Sequence, residues 1–554
     1  MHETDVVIIG AGPSGLSLAV ALSQLQIKSV VLEKQHDICE DPRAIALAGD
    51  ASRILSLIGI TAEEMDQISQ PQASKYITLK LNCDVVGLVE NPSNVEVTYE
   101  ETDTPGTHVV RGKYAVGADG KRGFVRKQFL EERGIKQETG RYEATWVAAN
   151  LKVTMPTPKT HPHFPLWDLG YEPDELWDLF WPGGFQFEYE LPPNFELPED
   201  AVGHLKEQME PHLTIAPSSL RGQGRRVNTT VRFPWDCVEV LRCGPAQFAH
   251  KVVNRWFDGR VILIGDAAHV FPPFGAQGIA SGIRDALGLS WRLSLLAGGT
   301  ETLPQKETAS FNKDSLLLTW SRERRHGVDE SATLTAANGS LLQTKSHVLR
   351  WAVWCANAVM SWMPRLRLTL LRGHFSDRDG VRGAKDGFFL EDQGGGIKTA
   401  QIFIQGARDG SAELSDHVFR NSNAALTLLV LHHPETEQEW TAIQQAPKRL
   451  NLPANFLAAK VVSLNDKVVD SLQQQPKSTK IQSAHLLTPA TAEAVSRAGH
   501  KPLPLYDPCG FRKRFQVSAK YALVRSDFII FSQAQTLEEL EGQIGRAWRM
   551  ATDS

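Results

Sequence analysis

Three glycines stand at a spacing that suits a phosphate. Gly10, Gly12 and Gly15 follow the apolar run Val6–Ile9 in the stretch DVVIIGAGPSGLSLAVALSQLQIKSVVLEK. Each has its own task in a dinucleotide site. Gly10 makes a tight turn, Gly12 lets backbone approach a pyrophosphate, and Gly15 lets a helix pack close to a strand. The helix opened by Pro13 and Ser14 points its free N–H groups at the phosphates. Glu33 ends the next apolar run, with Lys34 beside it. A carboxylate there accepts both ribose hydroxyls and repels a 2′-phosphate, so NADP is disfavoured at this position. FAD and NAD both satisfy the pattern.

A second acid lies more than two hundred residues downstream, in GRVILIGDAAHVFPPFGAQGIASGIRDALGLSWRL. Val261–Ile264 reads as a buried strand that stops at Gly265-Asp266. Small Ala267 and Ala268 permit close ligand approach, and a loop with Pro272, Pro273 and Gly275 leads to a helix beginning near Gln277, Gly278 and Ile279. Asp266 can accept hydrogen bonds from a ribityl chain. The helix start can stabilise negative charge on a reduced flavin ring. One βαβ unit for an adenosine half and a distant strand–Asp–loop–helix for the other half favour FAD over NAD.

These residues need a scaffold to hold them. The β-branched runs 6–9 and 29–33 read as strands buried on both faces, with a helix between them. The chain has 554 residues, of which 42% are hydrophobic and 22% charged, so several domains of ordinary soluble composition are expected. Net charge is −5, from 59 Lys and Arg against 64 Asp and Glu, with no long run of one sign and no call for a nucleic-acid partner. The N-terminus MHETDVVIIG lacks a secretory signal, and no apolar run is long enough to span a bilayer. The six cysteines are scattered without CxxC spacing, which suggests neither zinc nor a disulfide framework and points to a reducing, cytoplasmic setting.

The motifs resemble those of the FAD-dependent aromatic hydroxylases, the p-hydroxybenzoate hydroxylase-like family. GDAAHVFPPFGAQG is similar to its GD motif, and GADGKRGFVR (117–126) resembles its DG motif with Asp119. Arg43 in DPRAIALAGDASRILSLIGI matches a family arginine near the flavin, and SFNKDSLLLTWSRERRHGVDES resembles the helix after the flavin domain. The nearest sub-pattern resembles 3-hydroxyphenylpropionate hydroxylases and polyketide-tailoring phenol hydroxylases. The resemblance implies an α/β chain with a Rossmann-like FAD-binding domain (1–145 and 233–345) and an interleaved α+β substrate sheet (146–232). A helical connector (346–409) and a thioredoxin-like C-terminal domain (410–554) complete it. It further implies tightly bound FAD, transient NAD(P)H, O2 and a small aromatic substrate. Reduced FAD would take up O2 as a C4a-hydroperoxide, whose distal oxygen attacks an electron-rich ring carbon. Pro272 and Pro273 match the loop beside the flavin where oxygen transfer occurs.

The chain departs from this pattern in three places. Gly123 stands where the DG motif usually has serine. Ala280 stands where many relatives have asparagine. Between Gly59 and Asp119, relatives carry several dozen more residues that roof the substrate site. Two rival readings remain: a flavin-binding protein with impaired or no hydroxylation because of that shortening, and an epoxidase or oxidase of the same fold on a non-aromatic substrate.

The segment 146–232 is rich in aromatics and prolines. GGFQFEYELPP reads as a strand with Phe185, Phe187 and Tyr189 on one face. They suit a pocket wall or ordinary sheet packing. Tyr189 and Arg232 are the candidates for contacting a substrate phenolate. His269 reads as structural, and His161-Pro-His163 has no further metal ligand nearby in sequence. HVLRWAVWCANAVMSWMP (347–364) reads as a packed helix, with a peripheral membrane anchor as the rival. The tail alternates strands and helices from about residue 410 and includes LVRSD at a hairpin. Its only cysteine is Cys509, which excludes dithiol redox work and leaves a structural or homodimer-contact role.

Overall fold

The computed structural model describes residues 2–37, 47, 50–60, 75–102, 106–181, 186–192, 195, 198–217, 227–272, 276–298, 311–342, 346–363, 380–406, 412–420, 423–432, 437–464, 486–502 and 506–553. Thr139–His250 form one unit. The chain from Lys251 onward and most of the chain up to Glu138 form the other. The C-terminal residues therefore share a unit with the glycine loop.

The glycine-loop unit is built on a parallel sheet. Its order is Val261–Leu263, Tyr114–Gly117, Val6–Ile9, Ser29–Leu32 and Ile77–Lys80, with Phe257–Asp258 antiparallel at one edge. Every residue of Val6–Ile9 and Ser29–Leu32 is buried, as continuous β-branched runs require when both faces are covered. Ile9 lies opposite both Gly117 and Leu32, so the glycine loop and the Ala118–Asp119 turn leave neighbouring strand ends.

The helix Pro13–Gln24 lies between this sheet and the long helix Gln277–Ala297. That sandwich explains why Ser17, Leu18, Ala19, Ala21 and Leu22 are all buried, instead of one narrow stripe. The helix Lys313–Leu342 packs on the far side of Gln277–Ala297, where Trp320 meets Trp256 edge-on at 5.6 Å. Within the short 59–119 span, Cys83–Glu90, Val95–Glu101 and Thr107–Gly112 form an antiparallel meander, joined in parallel by His2–Glu3. The turn falls at Asn91–Asn94, beside the proline. Residues 61–74 lie outside the described ones.

The C-terminal sheet has seven strands in the order Ala412–Leu414, Phe403–Gly406, Leu486–Pro489, Leu457–Leu464, Leu426–Val430, Tyr521–Arg525 and Ile530–Ala534. Helix Glu437–Arg449 connects the parallel pair Leu426–Val430 and Leu457–Leu464. The last helix, Leu537–Thr552, starts with a capping box between Thr536 and Glu539. The sheet takes in Phe403–Gly406, ahead of residue 410, because that strand pairs antiparallel with Leu486–Pro489.

The helix His347–Ser361 differs from the packed helix that its sequence suggests. Val348, Trp351, Val359 and Trp362 are exposed, Trp362 at 88%. No helix among the described residues is long and apolar enough to cross a membrane.

A buried ionic cluster ties the C-terminal sheet to the glycine-loop helices. Glu323 accepts from Arg292 (3.0 Å), from both terminal nitrogens of Arg525 (2.8 and 3.0 Å) and from the Phe388 N–H (2.7 Å). Burial alone would raise its carboxyl, but Arg292 and Arg525 outweigh that and hold it below the usual range. Asp527 accepts from the Trp291 indole at 3.0 Å and from Arg525. Replacing Glu323 with alanine leaves the buried Arg292 without a carboxylate and Arg525 with Asp527 alone, and should cost about 3–5 kcal/mol in urea unfolding. A loss below about 1 kcal/mol would show that solvent reaches the cluster.

Candidate functional site

The glycine loop obeys hard contacts. Gly10 has φ +102°, and a Cβ there would lie 2.5 Å from the Ala118 carbonyl oxygen. A Cβ on Gly15 would lie 2.1 Å from the Gly10 carbonyl oxygen. Gly12 is different: a Cβ there meets no protein atom within 4 Å. Its freedom serves space outside the loop, at the start of a helix that no side chain caps. Glu33 is aimed at this space. Its carboxylate accepts the Ala11 N–H at 2.7 Å and the Gln35 N–H at 3.0 Å. Lys34 is exposed beside it.

The second acid sits on an equally constrained turn. Gly265 has φ +59°, and its missing Cβ leaves room for Ser14, whose Oγ would lie 2.4 Å away. The same Oγ fills the space of a Cβ on Gly282, at 2.0 Å. Ser14 therefore links the glycine-loop helix to the Gly265 turn and to the long helix. Asp266 lies on the 3-10 turn Gly265–Ala267 and reaches solvent, while Ala267 and Ala268 are fully buried. Protein surrounds its carboxyl on the other sides, so desolvation raises it, opposed by His269 and Lys121.

What holds this turn is Asp285, a residue that sequence reasoning passed over. Its carboxylate accepts the Gly265 N–H (2.9 Å), His269 Nε2 (2.8 Å) and Arg324 Nε (2.6 Å). Burial pushes the carboxyl up, but His269 and Arg324 outweigh burial and keep it below the usual range. His269 is thus a buried strut with no exposed surface. The available signal was a charged pair, Arg284-Asp285, at buried positions of an apolar helix.

The helix start is held in a similar way. Gln277 is buried and accepts from Arg284 at 3.0 Å; Arg284 in turn donates to Asp50 at 2.6 Å. Lys398 also binds Asp50. Gly278 has open space where a Cβ would be, and Ile279 is half-buried. Ala280 is fully buried in an apolar cluster with Ala21 and Ile54, where asparagine would bury an amide. Pro272 is buried. Pro273, Gly275 and Arg43 lie outside the described residues.

Asp119 turns back on its own chain. Its Oδ2 accepts the Val125 N–H at 2.9 Å, and its Cγ lies 2.1 Å from where a Cβ on Gly123 would be. Glycine in place of the motif's serine is what admits this pose. Oδ1 is buried without a donor among the described residues. Burial pushes the carboxyl up to about 6, against hydrogen bonds such as that from Val125.

The second unit holds Tyr189 and Arg232. Gln186–Glu190 pairs antiparallel with the strand Gln137–Val153, and Phe187 and Tyr189 lean on the unit's apolar cluster. The Tyr189 hydroxyl is 2.6 Å from His204 Nδ1, and burial pushes its phenol up to about 12. Arg232 is an exposed residue whose Nε pairs with Glu210 at 3.2 Å. Both side chains are engaged within their own unit. Most of the aromatics here serve packing, as where Phe233 meets Phe180 and Trp181 edge-on. Phe185 lies outside the described residues. His161, which with His163 has no further metal ligand nearby in sequence, comes close to Asp236 and Cys237 in space.

The residues fit FAD on three counts. There is a cradle at Gly12, an acceptor at Glu33 and a water-accessible carboxylate at Asp266 on a turn locked to the same helix.

Comparisons with known proteins follow the same lines. The family model described as FAD binding domain matches residues 3–78 and 68–330. The chain is similar to the 3-(3-hydroxy-phenyl)propionate/3-hydroxycinnamic acid hydroxylase of Escherichia coli O8 (strain IAI1), at 25% identity over 406 residues. That match spans 65% of this chain and 66% of the relative. In fold it is similar to aklavinone-11 hydroxylase with FAD and aklavinone (TM-score 0.62, 16% identity, 99% of each chain). It is also similar to OxyS anhydrotetracycline hydroxylase from Streptomyces rimosus (TM-score 0.59, 18% identity, 100% of this chain and 99% of that one).

Asp119 gives a pH signature. Its folded-state value near 6 lies above the unfolded 3.8, so its contribution to stability is present below about pH 4 and lost as pH rises through about 6. A shift of about two units is worth about 3 kcal/mol. In urea unfolding, Asp119→Asn should gain about that much on wild type between about pH 4 and about pH 7. A difference independent of pH overturns the assignment.

Proposed function

The chain belongs to the FAD-binding-domain family of aromatic hydroxylase type, and from that premise we propose that it is an FAD-dependent monooxygenase. Its substrate is a phenolic or polyketide-type aromatic ring, and it consumes NAD(P)H and O2. The observation that carries this reading is the Gly12 cradle, joined through Ser14 to the Asp266 turn. That pairing suits a ligand with a pyrophosphate and a polyol arm.

The flavin supplies the redox and oxygen-transfer chemistry when bound. This chain's own residues bind and orient it. The N–H groups after Gly12 meet the pyrophosphate. Glu33, set by Ala11, accepts the ribose hydroxyls, and Asp266 accepts from the ribityl arm. The start of the helix Gln277–Ala297, near Gly278, favours negative charge on the reduced ring. Buried Pro272 keeps water from the reacting edge.

In this reading Thr139–His250 supply the substrate sheet. The tail is a thioredoxin-like domain without dithiol chemistry, since Cys509 is its only cysteine. The protein acts in the cytoplasm, with a homodimer contact on the tail. A nicotinamide cofactor enters transiently, because the one glycine loop is taken by FAD.

Two measurements test this. Oxidation of NADH and of NADPH should rise when phenols or polyketide rings are added, with a hydroxylated product. Bound flavin without stimulation by any ring would overturn hydroxylation while leaving the cofactor in place. Asp266→Ala removes charge-assisted bonds of about 1.5–3 kcal/mol, so FAD should bind roughly 10–150-fold more weakly. Unchanged flavin affinity, read by equilibrium dialysis, overturns the role of Asp266.

A further inference from the structure

The second unit contains a group of side chains that flavin chemistry does not use. His161 lies in a loop after the strand Gln137–Val153, and Asp236 and Cys237 form the end of the 3-10 turn Trp235–Cys237. Some seventy-five residues separate them in sequence. In space, His161 Nε2 is 3.1 Å from Asp236 Oδ2 and 3.8 Å from Cys237 Sγ. All three ligand atoms lie within 4.8 Å of one another.

We propose that His161, Asp236 and Cys237 form a three-ligand site for a borderline-soft divalent cation of the zinc class, with a fourth position open to water.

The spacing carries the first part of the argument. Tetrahedral zinc takes imidazole nitrogen and carboxylate oxygen at roughly 2.0–2.2 Å and thiolate sulfur at about 2.3 Å. Such bond lengths place neighbouring ligand atoms roughly 3.3–3.6 Å apart. His161 Nε2 and Asp236 Oδ2 are already that close, whereas Cys237 Sγ, 3.8 Å from Nε2 and 4.0 Å from Nδ1, lies beside the ring and closes the site by turning toward the Nε2 side. The chemistry of the set carries the second part. One imidazole, one carboxylate and one thiolate suit zinc and leave calcium and magnesium unfavoured, since those demand oxygen ligands.

The surroundings carry the third part. Nδ1 of His161 lies 3.0 Å from Thr160 Oγ1. With its proton donated there, Nε2 keeps its lone pair for a cation, the arrangement that orients metal-bound histidines. Both backbones are fixed in advance. The Trp167 indole donates to the His161 carbonyl at 2.7 Å, and the Thr154 N–H donates to the Cys237 carbonyl at 2.9 Å. Cys237 is buried while the Asp236 side chain is 76% exposed, so the cluster opens to solvent on the Asp236 side. On binding, the Cys237 thiol proton passes to water and a thiolate–metal bond forms, with no change of oxidation state. The product is a clasp between the 157–163 loop and the 235–237 turn inside the aromatic-rich unit.

The test uses the full-length flavoprotein, stripped with a chelator and dialysed against zinc chloride, with bound metal counted by mass spectrometry. One zinc per chain is expected, and X-ray absorption at the zinc edge should show a single sulfur ligand. Cys237→Ser and His161→Gln should weaken binding at least about 10–100-fold, the loss seen even for outer-sphere partners. Asp236→Asn alters an exposed side chain, so its loss of affinity cannot come from misfolding. Cys509→Ser, at an exposed thiol elsewhere, should leave binding unchanged. No zinc uptake by wild type, a zinc edge without sulfur, or binding that survives both Cys237→Ser and Asp236→Asn overturns the proposal.

Discussion

The carboxylate of Asp285 has no contact with water, yet it takes donors from three separate places: the Gly265 backbone, His269 and Arg324. A buried acid is tolerated only when its lone pairs are filled and its charge is matched. Here that requirement dictates geometry. The Gly265 turn must bring its N–H to the long helix, His269 must point inward, and Arg324 must cross from the following helix. Asp266, one residue beyond Gly265, is then presented at a fixed place without making any of these bonds itself. Ser281 extends the frame by accepting from Arg324 at 2.9 Å.

The glycines add a steric constraint to this electrostatic one. Ser14 fits only because Gly265 and Gly282 both lack a Cβ. The start of the glycine-loop helix is therefore locked against the turn that carries Asp266. Two turns about two hundred and fifty residues apart in sequence are set against one another by one small side chain in a gap between two glycines. A methyl group at either position would drive them apart, because overpacking forces backbone to move.

Much of this was legible in the sequence, and the reason is local. Strands 6–9 and 29–32 announce themselves by unbroken β-branched runs, and the roles of Gly10 and Gly15 follow from spacing within a dozen residues. Glu33 sits at its strand end as the pattern requires. Asp285 was missed because its partners come from residues 265, 269 and 324, and spacing along one helix cannot show donors arriving from elsewhere. Alternation along a strand gives Tyr189 its face, but not its neighbour on that face, which is His204. Arg232 lies on a strand of two residues, too short for any pattern to assign a face. Gly123 looked like a lost serine, whereas its space holds the Asp119 carboxylate. The helix 347–361 read as packed because apolar residues usually are, yet Trp351, and Trp362 just after it, face solvent.

The C-terminal sheet follows from the same principle as Asp285. Arg420 reaches the glycine-loop helix through Gln24 at 2.8 Å and the Ala21 carbonyl, and Arg525 joins Glu323 and Asp527 beside Trp291 of the long helix. An apolar seam of equal size would stabilise at least as well, since burying charge is costly even when paired. What an apolar seam lacks is direction. Guanidinium forks donate to carboxylates and carbonyls in few orientations, so a helix held by them has one rotation and one register. The helices Pro13–Gln24 and Gln277–Ala297 are both gripped this way at points remote from their starts. The tail therefore bears on these two helices through orientation.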